Sequence, residues 1–393
     1  MSPKRATLRG AERTSIDGDR CDVLVCGASF AGLAVARELA GLGHDVLVLD
    51  RYEIGERQTS ACAVPTPWLD ALGVHEARRA ELPYMSFTTP HGSARYRLPW
   101  TWTSFDYRTL CHELWAQAGE ARFLTAKIQG RTRTADGHVV HTDRGDVSAP
   151  LVVDALGWRR TLATPHYQPP DAPLSRGLEV HPHVDPATQD DALDCWVDRS
   201  VVPRGYAWRV PAGEESRVGV GSYDPHHHVK EPTREVARRL DVEAVRYQGN
   251  WFPHKLRPAA EDDVFFCGDS AGHCIPVSGE GIRTAFLFGV QAAREIAKVL
   301  DGAQTRDEAL VAYAAFSKTR APFFRKLLLL QRVLPRIPPR LLTLGFRLVS
   351  PQWFIDRAFG WYLDAAHPEH ALRDRPVRRS TDAVTPAAPV AAD

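Results

Sequence analysis

The sequence predicts an α/β protein. A parallel sheet is assembled from separated segments around an inserted antiparallel sheet, and a helical C-terminal region follows. Three observations carry this. Residues 22–50 read as strand, glycine-rich turn, amphipathic helix and second buried strand, the βαβ pattern of a parallel sheet. Between 175 and 223, GLEVHPHV, ALDCWVDRSVV, YAWRVPA and RVGVGSY alternate like successive strands of an antiparallel sheet. DVFFCGDSAG at 263–272 restores the strand-and-turn pattern, and a helix is expected at roughly 280–300.

Taken in order, residues 1–20 are polar and without periodicity and are expected as a loose tail. Residues 60–105 are rich in Pro, Trp and Thr and read as irregular. YRTLCHELWAQAG predicts a helix over 106–119, stopped by Gly119. HVVHTDRGDVSAPLVVDALG predicts a hairpin and then a buried strand. The resulting division places a dinucleotide-binding unit at 21–84, 106–165 and 255–300. A substrate unit takes 85–105 and 166–254, and a helical region 301–375. The Ala/Pro-rich end, 376–393, is expected to be disordered.

The 49 basic and 48 acidic residues leave a net charge of +1, unlike the markedly basic face of a dedicated nucleic-acid binder. No apolar run reaches the ~18 residues of a membrane span. The N-terminus has no apolar core of a secretory signal, so a cytoplasmic location is expected. The seven cysteines show no C-x-x-C spacing. His226, His227 and His228 are consecutive and cannot converge on one ion from a strand or helix, so no metal site is expected. His181 and His183 share a strand face and read as capping rather than functional.

The first chemical motif is Gly27-Ala28-Ser29-Phe30-Ala31-Gly32, a G-x-S-x-x-G variant of the G-x-G-x-x-G fingerprint. A dinucleotide needs a tight turn there and close backbone approach of its pyrophosphate to a helix N-terminus. Asp50, eighteen residues after Gly32, closes the second strand with Arg51, where an acid binds the adenosine ribose. This is the signature of a Rossmann-type unit and leaves open which dinucleotide is bound.

A second motif narrows the choice. Gly268-Asp269-Ser270-Ala271-Gly272, followed by Pro276 and by Gly279-Glu280-Gly281-Ile282, resembles the G-D-x-A-G…P…G-E-G-I segment of FAD-dependent oxidoreductases of the glutathione-reductase-like class. More narrowly it is similar to the geranylgeranyl reductase group, which is related to aromatic hydroxylases and flavin-dependent halogenases. The resemblance covers roughly 22–300. It implies FAD, with Asp269 on the ribitol chain, Pro276 beside the flavin and a helix N-terminus at its pyrimidine edge. It also implies a cofactor contact for Arg108, whose alternative is a solvated helix arginine. Leu151–Gly157 is similar to the class's A-D-G turn in degenerate form. Tyr206 and Trp208 in Gly205-Tyr206-Ala207-Trp208-Arg209-Val210-Pro211 match the Y-x-W-x-F-P segment. The two share a strand face and read equally as core packing or as a substrate wall.

The resemblance implies hydride transfer from reduced FAD to a carbon–carbon double bond of an isoprenoid or other apolar substrate. NAD(P)H or another electron donor, including a reductase partner, would supply the reducing equivalents. Cys62, twelve residues after Asp50, lies where the group carries a cysteine, but no glycines follow it. It reads as a site thiol or as a core filler, and Tyr206 is the other candidate proton donor. The alternatives are FAD-dependent monooxygenation of a natural-product intermediate, halogenation, for which 51–70 supplies no lysine, and a non-catalytic flavin-binding paralogue. In 320–365, Phe323, Phe324 and Leu327–Leu330 are interleaved with Arg320, Arg325 and Lys326. That pattern fits either a lid over the substrate unit or a peripheral membrane contact.

Overall fold

The apolar runs become three sheets in the computed structural model, which describes residues 14–58, 60–163 and 174–372. The tails expected at 1–20 and 376–393 fall outside these residues, except for 14–20. There Asp19–Arg20 pairs in parallel with Gly145–Ala149, so this end of the expected tail is part of a sheet.

The central six-stranded sheet runs Ala260–Glu261, Val264–Phe266, Leu151–Asp154, Val23–Cys26, Val46–Asp50, Arg122–Thr125. All neighbours are parallel except the Ala260–Glu261 edge. Its inner strands are continuous Val/Leu runs because both faces are covered; Leu24, Val48 and Val152 are wholly buried. Helix α1 (Phe30–Leu39) follows the first strand. α2 is Thr66–Leu72, and α3 is Tyr107–Ala116, capped by Asp106 accepting the Thr109 N–H at 2.8 Å.

An eight-stranded sheet runs Gln248–Pro253, Leu174–Val180, Glu215–Ser222, Gly205–Ala212, Ala192–Trp196, Arg78–Thr89, Gly92–Phe105, Ala63–Pro65. The irregular reading of 60–105 is overturned, while the assignment of 85–105 to the substrate unit's antiparallel sheet agrees with the pairing. Most of that segment is a long antiparallel hairpin. Pro83 sits at the register shift between Leu82 and Tyr84, where a missing N–H costs no ladder bond. A smaller sheet joins Asp19–Arg20, Gly145–Ala149, His138–Thr142 and Ile128–Arg133.

Helix α4 (Lys230–Arg239) packs on the eight-stranded sheet, and α5 (Ile282–Leu300) returns to the six-stranded one. α5 crosses α1 closely because Gly289 has no side chain: a Cβ there would meet the Ala31 carbonyl oxygen at 2.6 Å. The C-terminal region forms α6 (Arg306–Thr319), α7 (Ala321–Val333), α8 (Pro339–Leu348) and α9 (Gln352–Asp364). α8 and α9 pack against the long hairpin.

Candidate active site

The turn at the first strand is built for close approach. Gly27 has φ +113°, and a Cβ on it would meet the Ala155 carbonyl oxygen at 2.4 Å. A Cβ on Gly32 would stand 1.8 Å from the Gly27 carbonyl oxygen. Ser29 precedes α1 without capping it, so the helix's first N–H groups have no side-chain acceptor there. The Ser29 hydroxyl accepts from Tyr107 at 3.0 Å and keeps its own proton to donate. Phe30 anchors the turn edge-on against Phe105, Tyr107 and Phe286. Asp50 accepts from the N–H groups of Ala28 (2.8 Å) and Tyr52 (3.0 Å), which fixes its carboxylate beside the turn.

The second motif faces the same space. Asp269 has no side-chain hydrogen bond among the described residues, and burial pushes its carboxyl up to about 6 against the pull of Arg257. Ser270 turns away and donates to Asp154 at 2.6 Å. Asp154 also accepts from the N–H groups of Leu156 and Leu162, so the degenerate A-D-G turn works as a structural clasp. Gly272 lies where a Cβ would be 2.1 Å from the Lys255 carbonyl oxygen.

The loop between the motif and α5 is held from three sides. The Tyr206 hydroxyl donates to the Ser278 carbonyl. Tyr223 donates to the Val277 carbonyl at 2.6 Å, and the Val277 N–H donates to Gln331 of α7 at 2.8 Å. Tyr362 of α9 donates to Ser278 Oγ at 2.9 Å and bonds Glu280. The clamp keeps Val277, a β-branched residue, at φ +68°. The loop ends at Gly281, and α5 starts there without a side-chain cap. Its positive end therefore faces the cavity at Gly281 and Ile282.

One cavity of about 1700 Å³ joins these parts. It is lined by Ala28, Ser29, Phe30, Ala31, Asp50, Arg51, Cys62, Tyr206, Trp208, Gly268, Asp269, Gly279, Gly281 and Ile282. Gly27, Gly32, Ala271 and Gly272 do not line it. Pro276 is buried and does not line it. Arg108 is exposed on α3, with its backbone packed on Gly55, and does not line it either.

The sheet side of the cavity is carried by Trp208. Its indole lies across the neighbouring strands because Gly219, Gly221 and Gly177 have no side chains. A Cβ on Gly219 would meet Trp208 Cζ2 at 2.3 Å. Trp208 Nε1 donates to Glu179 at 3.1 Å, and Glu179 meets His181 Nε2 at 2.8 Å. Glu179 also lines the cavity, and sequence reasoning missed it. The available signal was the x-E-x-H alternation at 178–181, which places acid and imidazole on one strand face. Cys62 is wholly buried at φ +54°. Its thiol donates to the Ser60 carbonyl at 3.1 Å, and burial pushes it well above the usual thiol range, so it stays protonated.

No protein-family model matches the chain. It is 25% identical over 307 residues to digeranylgeranylglycerophospholipid reductase 1 of Methanothermobacter thermautotrophicus, covering 70% of this chain and 76% of that protein. It superposes with TM-score 0.77 and 18% identity on a geranylgeranyl bacteriochlorophyll reductase-like protein of Thermoplasma acidophilum, over 90% of this chain and 98% of that one. PqsL of Pseudomonas aeruginosa, a probable FAD-dependent monooxygenase, superposes with TM-score 0.64 and 18% identity over 84% and 99%. The glycine turn, the uncapped starts of α1 and α5 and the unsatisfied Asp269 carboxylate fit FAD. The chain is similar to the geranylgeranyl reductases, and the likeness supports an FAD-dependent oxidoreductase.

Proposed function

We propose that the protein reduces a carbon–carbon double bond of an isoprenoid substrate. The observation that carries this is the continuity of the cavity: it starts at the dinucleotide turn and ends in apolar walls between the eight-stranded sheet and α7–α9. Met85, Phe87 and Leu193 come from the sheet side, and Phe346, Phe354 and Phe359 from the helices. Its volume, about 1700 Å³, exceeds the ~300–1,000 Å³ of an ordinary ligand pocket, which leaves room for FAD and a long apolar chain together.

The start of α1 would hold the cofactor's diphosphate, Asp50 the adenosine ribose, Asp269 the ribitol chain and the start of α5 the pyrimidine edge. When bound and reduced, FAD supplies the hydride. NAD(P)H or a reductase partner recharges it. The chain's own residues orient the isoprenoid along the apolar wall, exclude water and provide the proton.

A peripheral membrane contact suits such a substrate. Leu341, Leu344 and Leu348 lie exposed on α8, and Trp353 on α9 is 69% exposed, with Arg340 and Arg347 among them. Among the described residues no helix is long and apolar enough to cross a membrane. The test of the reaction is anaerobic turnover with geranylgeranyl diphosphate. Reduction gives product two mass units heavier, and a requirement for oxygen with its incorporation rejects the proposal.

A further inference from the structure

We propose that Glu179, backed by His181, delivers the proton half of the reduction from the sheet-side wall of the cavity, and that Glu215 connects the pair to solvent. This rests on the reading of the protein as a double-bond reductase. Glu179 is 3% exposed, yet it lines the cavity. Each of its oxygens has one partner: Trp208 Nε1 donates to Oε2 at 3.1 Å, and His181 Nε2 stands 2.8 Å from Oε1. His181 is 2% exposed, and its Nδ1 stands 3.9 Å from Glu215 Oε2 on the adjacent strand. Glu215 is reached from outside, where its other oxygen pairs with the exposed Arg246 at 2.7 Å. Titratable groups are therefore lined up from the surface to the cavity, with one 3.9 Å step between His181 Nδ1 and Glu215.

Burying a carboxylate and an imidazole together is costly unless they are paired, and an apolar pair would pack there without that cost. The arrangement is explained if the proton between them is used. The other charged or titratable groups facing the pair are Arg217, 3.8 Å from Glu215 on the same strand, and Cys62, whose thiol feels the Glu179 charge. Neither competes as donor. Arg217 is committed to the carbonyls of Ala61, Cys62 and Phe105, and the Cys62 proton to Ser60. The Tyr206 hydroxyl is held on the Ser278 carbonyl.

The balance is simple. One π bond is lost and two C–H bonds form. The hydride and its electron pair come from the reduced cofactor, and the proton leaves a Glu179 oxygen. The carboxylate left behind takes the His181 Nε2 proton, and His181 is reprotonated from solvent through Glu215. His181 and Glu215 are positioning residues, since they reach the substrate only through Glu179.

The test has two readouts on the full-length holoprotein. In the first, photoreduced protein is mixed anaerobically with geranylgeranyl diphosphate. Glu179→Gln should slow substrate-driven reoxidation at least about tenfold and flatten its pH profile, and Glu179→Asp should recover part of it. FAD binding and photoreduction should be unchanged. The second needs no substrate. In the oxidised protein, Glu179→Gln should move the Trp208 indole N–H and the His181 ring resonances together, because both side chains bond the same carboxyl group. Wild-type rate and pH profile in Glu179→Gln, or Trp208 and His181 resonances that stay still in that variant, overturn the proposal. If wild-type protein is photoreduced normally but never reacts with the isoprenoid, the reductase reading fails, and the resonance experiment still decides the relay.

Discussion

Asp269 shows how a single side chain is set for its task. It is placed among buried groups without a side-chain hydrogen bond among the described residues, and burial raises its carboxyl to about 6. In the cofactor-free protein the folded state then binds the Asp269 proton at a pH where the unfolded chain, with an ordinary carboxyl near 3.8, has released it. Stability should fall as pH rises from about 4 to 6, and Asp269→Asn should flatten that slope in denaturant unfolding. Gly219 makes the complementary point about space. Its missing Cβ lets the Trp208 indole lie on the strand, so Gly219→Ala should cost about 1–3 kcal/mol in urea unfolding while FAD absorbance is retained. At this scale the cofactor turns were legible because glycine and acid spacing is local. Glu179 was not, because its role depends on Trp208 and Glu215 from other strands meeting it across the sheet. Arg108 matched by placement alone, and the α3 start turns it outward.

At the scale of elements, α9 is tied to the loop that faces the cofactor. Arg283, wholly buried, pairs with Glu280 at 2.5 Å and donates to the Leu363, Ala366 and Tyr362 carbonyls. Tyr362 bonds the same Glu280. Removing the guanidinium leaves a buried carboxylate uncompensated, so Arg283→Met should cost about 3–5 kcal/mol in unfolding free energy. It should also loosen FAD, read as a raised dissociation constant in flavin fluorescence titration. The βαβ unit was legible because strand and helix periods change cleanly at its turns. The long hairpin at 78–105 was hidden by Pro83 and Pro99, which break the local alternation that defines a strand in sequence. The small sheet takes its first strand from residues that lack any period, since only two of them pair.

For the whole molecule, one cavity serves cofactor and substrate, and α7–α9 both wall it and carry exposed apolar and basic side chains. Vesicles containing anionic lipid should therefore sediment the protein, and Leu344→Glu with Leu348→Glu should weaken that binding at least about tenfold while leaving the flavin spectrum intact. Equal binding by the double variant would assign the face to packing alone. The central claim, hydride and proton addition across an isoprenoid double bond, is tested most directly by one anaerobic turnover of the reduced holoprotein with geranylgeranyl diphosphate in deuterated water. The expected product is two hydrogens richer and carries solvent deuterium at both new C–H positions, because the transferable hydrogen of reduced flavin also exchanges with solvent. A product containing oxygen after air is admitted, with no reduced isoprenoid formed before it, would contradict the claim.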